Sequence, residues 1–376
     1  MTIRSFPVLH SDELLFSGVA RYFDHMDFPN RSASTRELFG ARTYKPILDF
    51  PSHLDSFTSQ LLRNCGYPTT DQIIDEHTLF PLFAPFLPPD RLERLRKAMH
   101  EDAGREARLR AGIMSSRIPL IRELRLCTKC VRADRQEFGE AYWHRSHQIQ
   151  EMKVCHTHEI PLQKMKNDFV GEEYISAEQA LKISEWDESK PNKNDIEKFS
   201  NLAIDAHWLL DNPQNQITPR MLYKRYFELL DRGGFVQKYS SKLSLNKLSE
   251  KFQEYYSNSY LESLHCDLKN HVPSNWLVRL MESSGNDVQH PLHHLLVIRF
   301  LGESAETFFQ KIYRKKLKGS EEFHSSSYVS TIQLNKKNLF TYPDGKSDQC
   351  PAKQAANRNQ HWIQQTDGLK TTVKNQ

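Results

Sequence analysis

The chain has 376 residues, 51 Lys+Arg against 47 Asp+Glu for a formal net charge of +4, and 38% hydrophobic residues. That length points to two or three domains, and the apolar content suffices for real cores with some exposed chain left over. No long apolar run marks a membrane span, and the start MTIRSFPVLHSDELL lacks the apolar stretch of a secretory signal, so a cytosolic protein is expected.

Residues 1–120 read as mostly helical. Ser11-Asp12-Glu13 opens an amphipathic run to about Met26 with acidic side chains in its first turn, and Pro29-Asn30 ends it. A short helix at 35–39 closes at Gly40, and 52–64 forms another, with Leu54, Phe57, Leu61 and Leu62 at helical spacing. The apolar stretch 73–86 contains Pro81 and Pro85 and cannot be one regular helix. A charged helix starts at Pro89, runs to about Ala103 and resumes over 105–114. Residues 121–165 hold a cysteine cluster with Gly139 as a turn signal, and 166–193 read as an acidic, polar connector. Residues 194–318 return to helix, with elements at 194–210, 219–232, 244–256, 276–281 and 291–301. Thr218-Pro219 is a strong start signal and Gly233-Gly234 a stop. In 244–256 the residues Leu245, Leu248, Phe252 and Tyr255 form the apolar face. The tail, 319–376, loses periodicity, turns polar from Asp344 onward, and is expected to be largely disordered.

The sharpest chemical signal is Cys127-Thr128-Lys129-Cys130 followed by Cys155-His156-Thr157-His158, a C-x2-C-x24-C-x2-H pattern. Each pair can sit on a tight knuckle, and two knuckles complete a tetrahedral site for Zn2+. Four protein ligands leave no open position, so the expected site is structural and stands in for a core too small to fold alone. His144 and His147 are competing ligands if the intervening loop folds back, and His156 is less suited because it adjoins Cys155. A disulfide is the lesser alternative in a reducing compartment. A catalytic zinc would need a ligand to leave, and no His-Glu-x-x-His or His-x-Glu pattern offers one. There is likewise no phosphate loop, dinucleotide fingerprint or nucleophile elbow, so no enzyme is expected.

Charge is segregated. Residues 1–90 carry 7 basic and 11 acidic side chains, 91–135 carry 13 and 6, 136–333 carry 24 and 27, and 334–376 carry 7 and 3. The basic block contains Arg105, Arg108, Arg110 and Arg117, suited either to phosphate contact or to a solvated face paired with nearby glutamates. Residues 218–251 carry 8 basic and 3 acidic side chains. Their order, helix, Gly-Gly turn, connection and second helix, is that of a loose helix-turn-helix or of a plain helical bundle. In the former, Lys242, Asn246, Lys247 and Lys251 are the nucleic-acid-binding candidates.

Four stretches resemble the TniQ/TnsD family of bacterial transposon target-selection proteins, and its TnsD-like branch more closely. They are Phe6-Pro7-Val8 with Ser11-Asp12-Glu13-Leu14; residues 76–86; the zinc pattern with Tyr142-Trp143-His144-Arg145 and Val154 to Leu162; and His290-Pro291-Leu292-His293-His294-Leu295-Leu296. The resemblance implies zinc ligands at Cys127, Cys130, Cys155 and His158. It implies an N-terminal region that contacts the AAA+ regulator TnsC, and a helical C-terminal region that helps read a double-stranded DNA attachment site. Through TnsC such proteins bring in the transposase subunits. Many members of the branch continue well beyond this length with further helical sequence.

The expected architecture is therefore mainly α: a helical N-terminal domain (1–120), a small Cys3His zinc-finger module (121–165), a connector (166–193), a helical, DNA-binding-like domain with a helix-turn-helix-like segment (194–318), and the tail. The expected function is DNA-binding target-site selection in transposition, in the bacterial cytoplasm and associated with the nucleoid. The alternative within the family is an adaptor that links an RNA-guided CRISPR complex to TnsC without reading sequence itself.

Overall fold

The computed structural model describes residues 6–320, apart from 27, 29–30, 42–43, 62–65, 102–106, 110, 113–115, 167–172, 189, 215–216, 238–241, 269–274 and 283–287. The expected tail lies outside the described residues from 321 onward. Helices dominate. In the N-terminal region they are α1 (Leu15–Met26), α2 (Arg31–Leu38), α3 (Leu54–Gln60), α4 (Thr70–His77), α5 (Phe80–Phe83) and α6 (Pro89–His100). No helix among the described residues is long and apolar enough to cross a membrane.

Local sequence explains most boundaries. Gly40 ends the α2 segment at φ 64°, a backbone state that costs glycine nothing. A complete capping box at Thr69 and Gln72 starts α4. The run 73–86 breaks as the prolines require, into the end of α4, α5 and a 3-10 turn at Ala84–Phe86. Pro89 opens α6 at the position where its missing N–H costs nothing.

One start differs from the expectation. The first helix begins at Leu15, and Asp12 sits at φ 57° while Glu13 forms a β-bridge with His144. These acids do not serve a helix dipole; tertiary partners hold them. Glu13 is fully buried and pairs with Arg21 at 2.9 Å.

The middle of the chain carries β1 (Arg125–Leu126), α7 (Thr128–Phe138) and β2 (Gln163–Met165), then α8 (Ala177–Ile183) and β3 (Trp186–Glu188). The strands form an antiparallel sheet in the order β1-β2-β3, with Leu126 opposite Gln163 and Met165 opposite Trp186. The stretch 166–193 is thus more than a connector. Strand β3 completes this sheet, and α8 is tied to the zinc-pattern segment: Arg135 of α7 binds Glu178, and Trp143 Nε1 donates to Ile175 O at 2.8 Å. Its polar composition hid this because two of the three β3 side chains face solvent.

The C-terminal region comprises α9 (Ile196–Asp211), α10 (Pro219–Arg232), α11 (Leu245–Tyr256), α12 (Asn258–Ser263), α13 (Trp276–Glu282), α14 (Pro291–Phe300) and α15 (Ala305–Ser320). Helices α12 and α15 were not singled out as elements in the sequence. On α11 the buried apolar residues are Leu248, Phe252 and Tyr256, and Tyr255 is exposed, so the apolar face is turned by one position. Helix α14 is buried nearly all round and forms the centre of this region. Around it, Arg299 binds the buried Asp205, and Arg225 binds Glu303. The core is continuous from Phe6 to Ile312 and rich in aromatics, with Phe23, Phe39, Phe50, Phe57, Phe80 and Phe83 buried in its N-terminal part.

Candidate metal centre and its setting

Cys127 is the residue just before α7, and Cys130 lies in that helix's first turn, so the first knuckle is the mouth of a helix. Cys155 and His158 flank a tight turn closed by Glu159 N–H donating to Cys155 O at 2.9 Å, with Glu159 at φ 52°. The sheet brings the two together, because β1 leads directly into Cys127 and β2 follows directly after the second turn.

The four ligand atoms lie within 4.8 Å of one another. His158 Nδ1 stands 3.5, 3.3 and 3.6 Å from the sulfurs of Cys127, Cys130 and Cys155, and the Cys130 and Cys155 sulfurs are 3.7 Å apart. A tetrahedral zinc with Zn–S of about 2.3 Å and Zn–N of about 2.0 Å sets donor separations of about 3.5–3.8 Å. The donor set therefore fits zinc in both chemistry and spacing. The three sulfurs also titrate as a unit. Hydrogen bonds from Cys130 and Cys155 lower Cys127, and the bond with Cys127 raises the other two. A divalent cation would stabilise all three as thiolates.

Two of the competing histidines, His144 and His156, have other partners. His144 is held between Asp12 and Asp134, at 3.5 and 3.0 Å. Burial opposes its charge, but the bonds to Asp12 and Asp134 outweigh burial and raise it to about 9. His156 turns away and stacks on His207 of α9, ring centroids 3.6 Å apart. His147 is buried beside the cluster, its Nε2 3.8 Å from the Cys130 sulfur, and burial holds it neutral.

Beside this centre lies Arg145, only 3% exposed, which joins three parts of the chain. It donates to Asp75 O (2.9 Å) and Thr78 O (3.3 Å) at the end of α4, and to Leu210 O (3.2 Å) and Asp211 (3.4 Å) at the end of α9. Its Nε lies 3.6 Å from Asp12. A cation suits helix C-termini, where carbonyls point outward without partners. The neighbouring backbone completes the joint: Leu14 N–H donates to Trp143 O, and Trp143 N–H donates to Ser17 Oγ. His77 bonds Glu13 O at 2.8 Å. The stretch around His290 meets the same region from the other side, with His294 stacked on Phe86 and His290 packed edge-on to Phe83. The four stretches that carry the family resemblance therefore converge, and the metal-ligand module is the piece between the N-terminal helices and α9.

The basic candidates separate into groups. Arg105 and Arg110 lie outside the described residues. Arg108 binds the buried Asp49 through Nε at 3.0 Å, and Arg117 is exposed. Elsewhere in the block, Arg96 bridges Asp71 and Asp75 over the Phe80 ring, Arg125 donates to Ile149 O, and Arg135 binds Glu178. Arg96, Arg108 and Arg135 are thus spent on ion pairs reaching far along the chain, while Arg94 and Lys97 pair with their i,i+4 neighbours Asp90 and Glu101. On the second candidate segment, Lys242, Asn246, Lys247 and Lys251 are all exposed. Lys247 Nζ donates to Gly234 O at 3.0 Å, and Lys251 pairs with Glu254 at 2.6 Å. Between α10 and α11, Val236 is bridged to Leu243, and the connection is longer than the turn of a helix-turn-helix.

Comparisons with known proteins agree with this layout. A TniQ family model matches residues 4–162, and a family model described as Tn7-like transposition protein D (TnsD) matches residues 202–329. The transposon Tn7 transposition protein TnsD of Escherichia coli is 27% identical over 277 residues, which is 73% of this chain and 53% of that protein. The chain thus spans about half the length of this relative. The TniQ match contains Arg145 and the four candidate metal ligands, the TnsD match begins within α9, and the chain belongs to the TniQ/TnsD family.

Proposed function

We propose that the protein is a non-enzymatic, zinc-stabilised adaptor that selects the target site of a Tn7-like transposon. It binds a double-stranded DNA attachment site and recruits a TnsC-like AAA+ ATPase, and through it the transposase, in the bacterial cytoplasm on the nucleoid. One observation carries the reading: a closed Cys3His cluster lies at the C-terminal end of a TniQ-matching region, and a TnsD-matching region follows it in the same chain. Zinc here is structural, because all four tetrahedral positions are filled by protein ligands. The N-terminal region, including the module, supplies the ATPase contact, and the C-terminal helices supply DNA contact.

Footprinting on host genomic DNA, with and without the ATPase, tests this. A discrete protected site that recruits the ATPase is expected. Absence of any protected site, with a salt slope of duplex binding near zero, would overturn direct readout and favour the RNA-guided adaptor.

A further inference from the structure

Helix α10 has two opposed faces. Leu222, Arg225, Tyr226, Leu229 and Leu230 are buried. Arg225 ties the helix to Glu303, and Glu228 binds Lys315, so α15 covers that side. The outward face presents Arg220, Lys224, Phe227 and Asp231, all exposed and spaced i, i+4, i+7, i+11. This is one stripe of a helix. Neither Arg220 nor Lys224 has an ion pair or hydrogen bond among the described residues, whereas Lys247 and Lys251 on α11 are engaged by their own neighbourhood. Phe227 is 43% exposed, a large apolar ring left in water between Lys224 and Asp231 on that stripe.

We infer that the outward face of α10, through Arg220, Lys224 and Phe227, is the duplex-DNA contact of the C-terminal helices, in place of α11. The inference rests on the DNA-binding reading above. Cations repeated one helical turn apart, about 6 Å along the axis, suit a ligand whose anions repeat along a strand. An aromatic ring one turn beyond Lys224 adds an apolar surface for sugar or base edges, a mixture typical of nucleic-acid contacts. Asp231 closes the stripe, so the contact runs over residues 220–227.

The experiment measures duplex binding of the full chain against salt concentration. Each phosphate contact contributes about 0.9 to the slope of log K on log salt. The double variant Arg220→Gln/Lys224→Gln should bind more weakly, with a slope shallower by about 2. Phe227→Ala should weaken binding with the slope unchanged, because an apolar contact releases no counterion. The paired control Lys247→Gln/Lys251→Gln should keep the wild-type slope. All are surface changes, and an unchanged thermal midpoint verifies the fold. A wild-type slope in the α10 variant, or a loss in the α11 control instead, overturns this assignment and leaves the DNA-binding reading intact. If the α10 variant binds DNA normally but loses the ATPase, the face is a docking site for an acidic protein and the assignment falls. A wild-type protein that binds no duplex overturns both.

Discussion

Replacing Arg145 by Met is expected to destabilise the whole protein by about 3–5 kcal/mol, the usual cost of removing one partner from a buried charged network. The structure supplies the reason. The guanidinium serves the carbonyls of Asp75, Thr78 and Leu210 together with Asp211, while sitting beside Asp12. Methionine fills most of the volume but leaves three buried carbonyls without this donor, each worth about 1–3 kcal/mol if nothing replaces it. These losses overlap, because local relaxation serves several carbonyls at once, and Asp12 retains His144. Lysine keeps the charge but lacks the planar fork that reaches two helix ends, so Arg145→Lys should fall between. Urea unfolding followed by tryptophan fluorescence measures the loss, with Trp143 and Trp208 as nearby reporters. Zinc per chain measured by mass spectrometry should be unchanged, since Arg145 supplies no ligand. Faster proteolytic cleavage between α9 and α10 is expected, because α9 loses its tie to α4. A Met variant within about 1 kcal/mol of wild type would refute the reasoning.

Other consequences are equally direct. Purified protein should carry one zinc per chain; Cys155→Ser should lose it, and acid should release it as the thiolates protonate. His144 is raised to about 9 against an ordinary 6.5, so its contribution to stability is complete below pH 6.5 and disappears as pH rises through about 9. His144→Gln should therefore flatten the stability profile across that window, removing on the order of 3 kcal/mol near neutral pH, and an unaltered profile would count against the Asp12–His144–Asp134 bridge. Gly40→Ala should cost about 1–2 kcal/mol by calorimetry, since the site has φ 64° and an added methyl carbon would lie 2.3 Å from Ser56 Oγ.

Much of this protein was legible in its sequence because the signals are local. Helix starts and stops follow from capping residues, prolines and the Gly233-Gly234 pair. The metal ligands follow from two x2 spacings, which preset each pair to point at one atom. The sheet was not legible: its strands are only two or three residues long and partly exposed, and they exist because segments about 20 to 40 residues apart pair with each other. Nor did the sequence reveal that Asp12 and Glu13 are tertiary ligands, since an acid before a helix also suits its dipole.

Charge marks the sharpest division. Composition and spacing by themselves determined a mainly helical chain with a Cys3His cluster and a basic segment running into it. Which cations remain available was decided only by the tertiary structure. Arg96, Arg108, Arg125, Arg135 and Arg145 are taken by distant carboxylates and carbonyls, while Arg220 and Lys224 are left in solvent. The physical reason is that a guanidinium binds whichever acceptor folding brings within about 3 Å. For most of these arginines that acceptor lies tens of residues away, beyond the reach of any periodicity in the sequence.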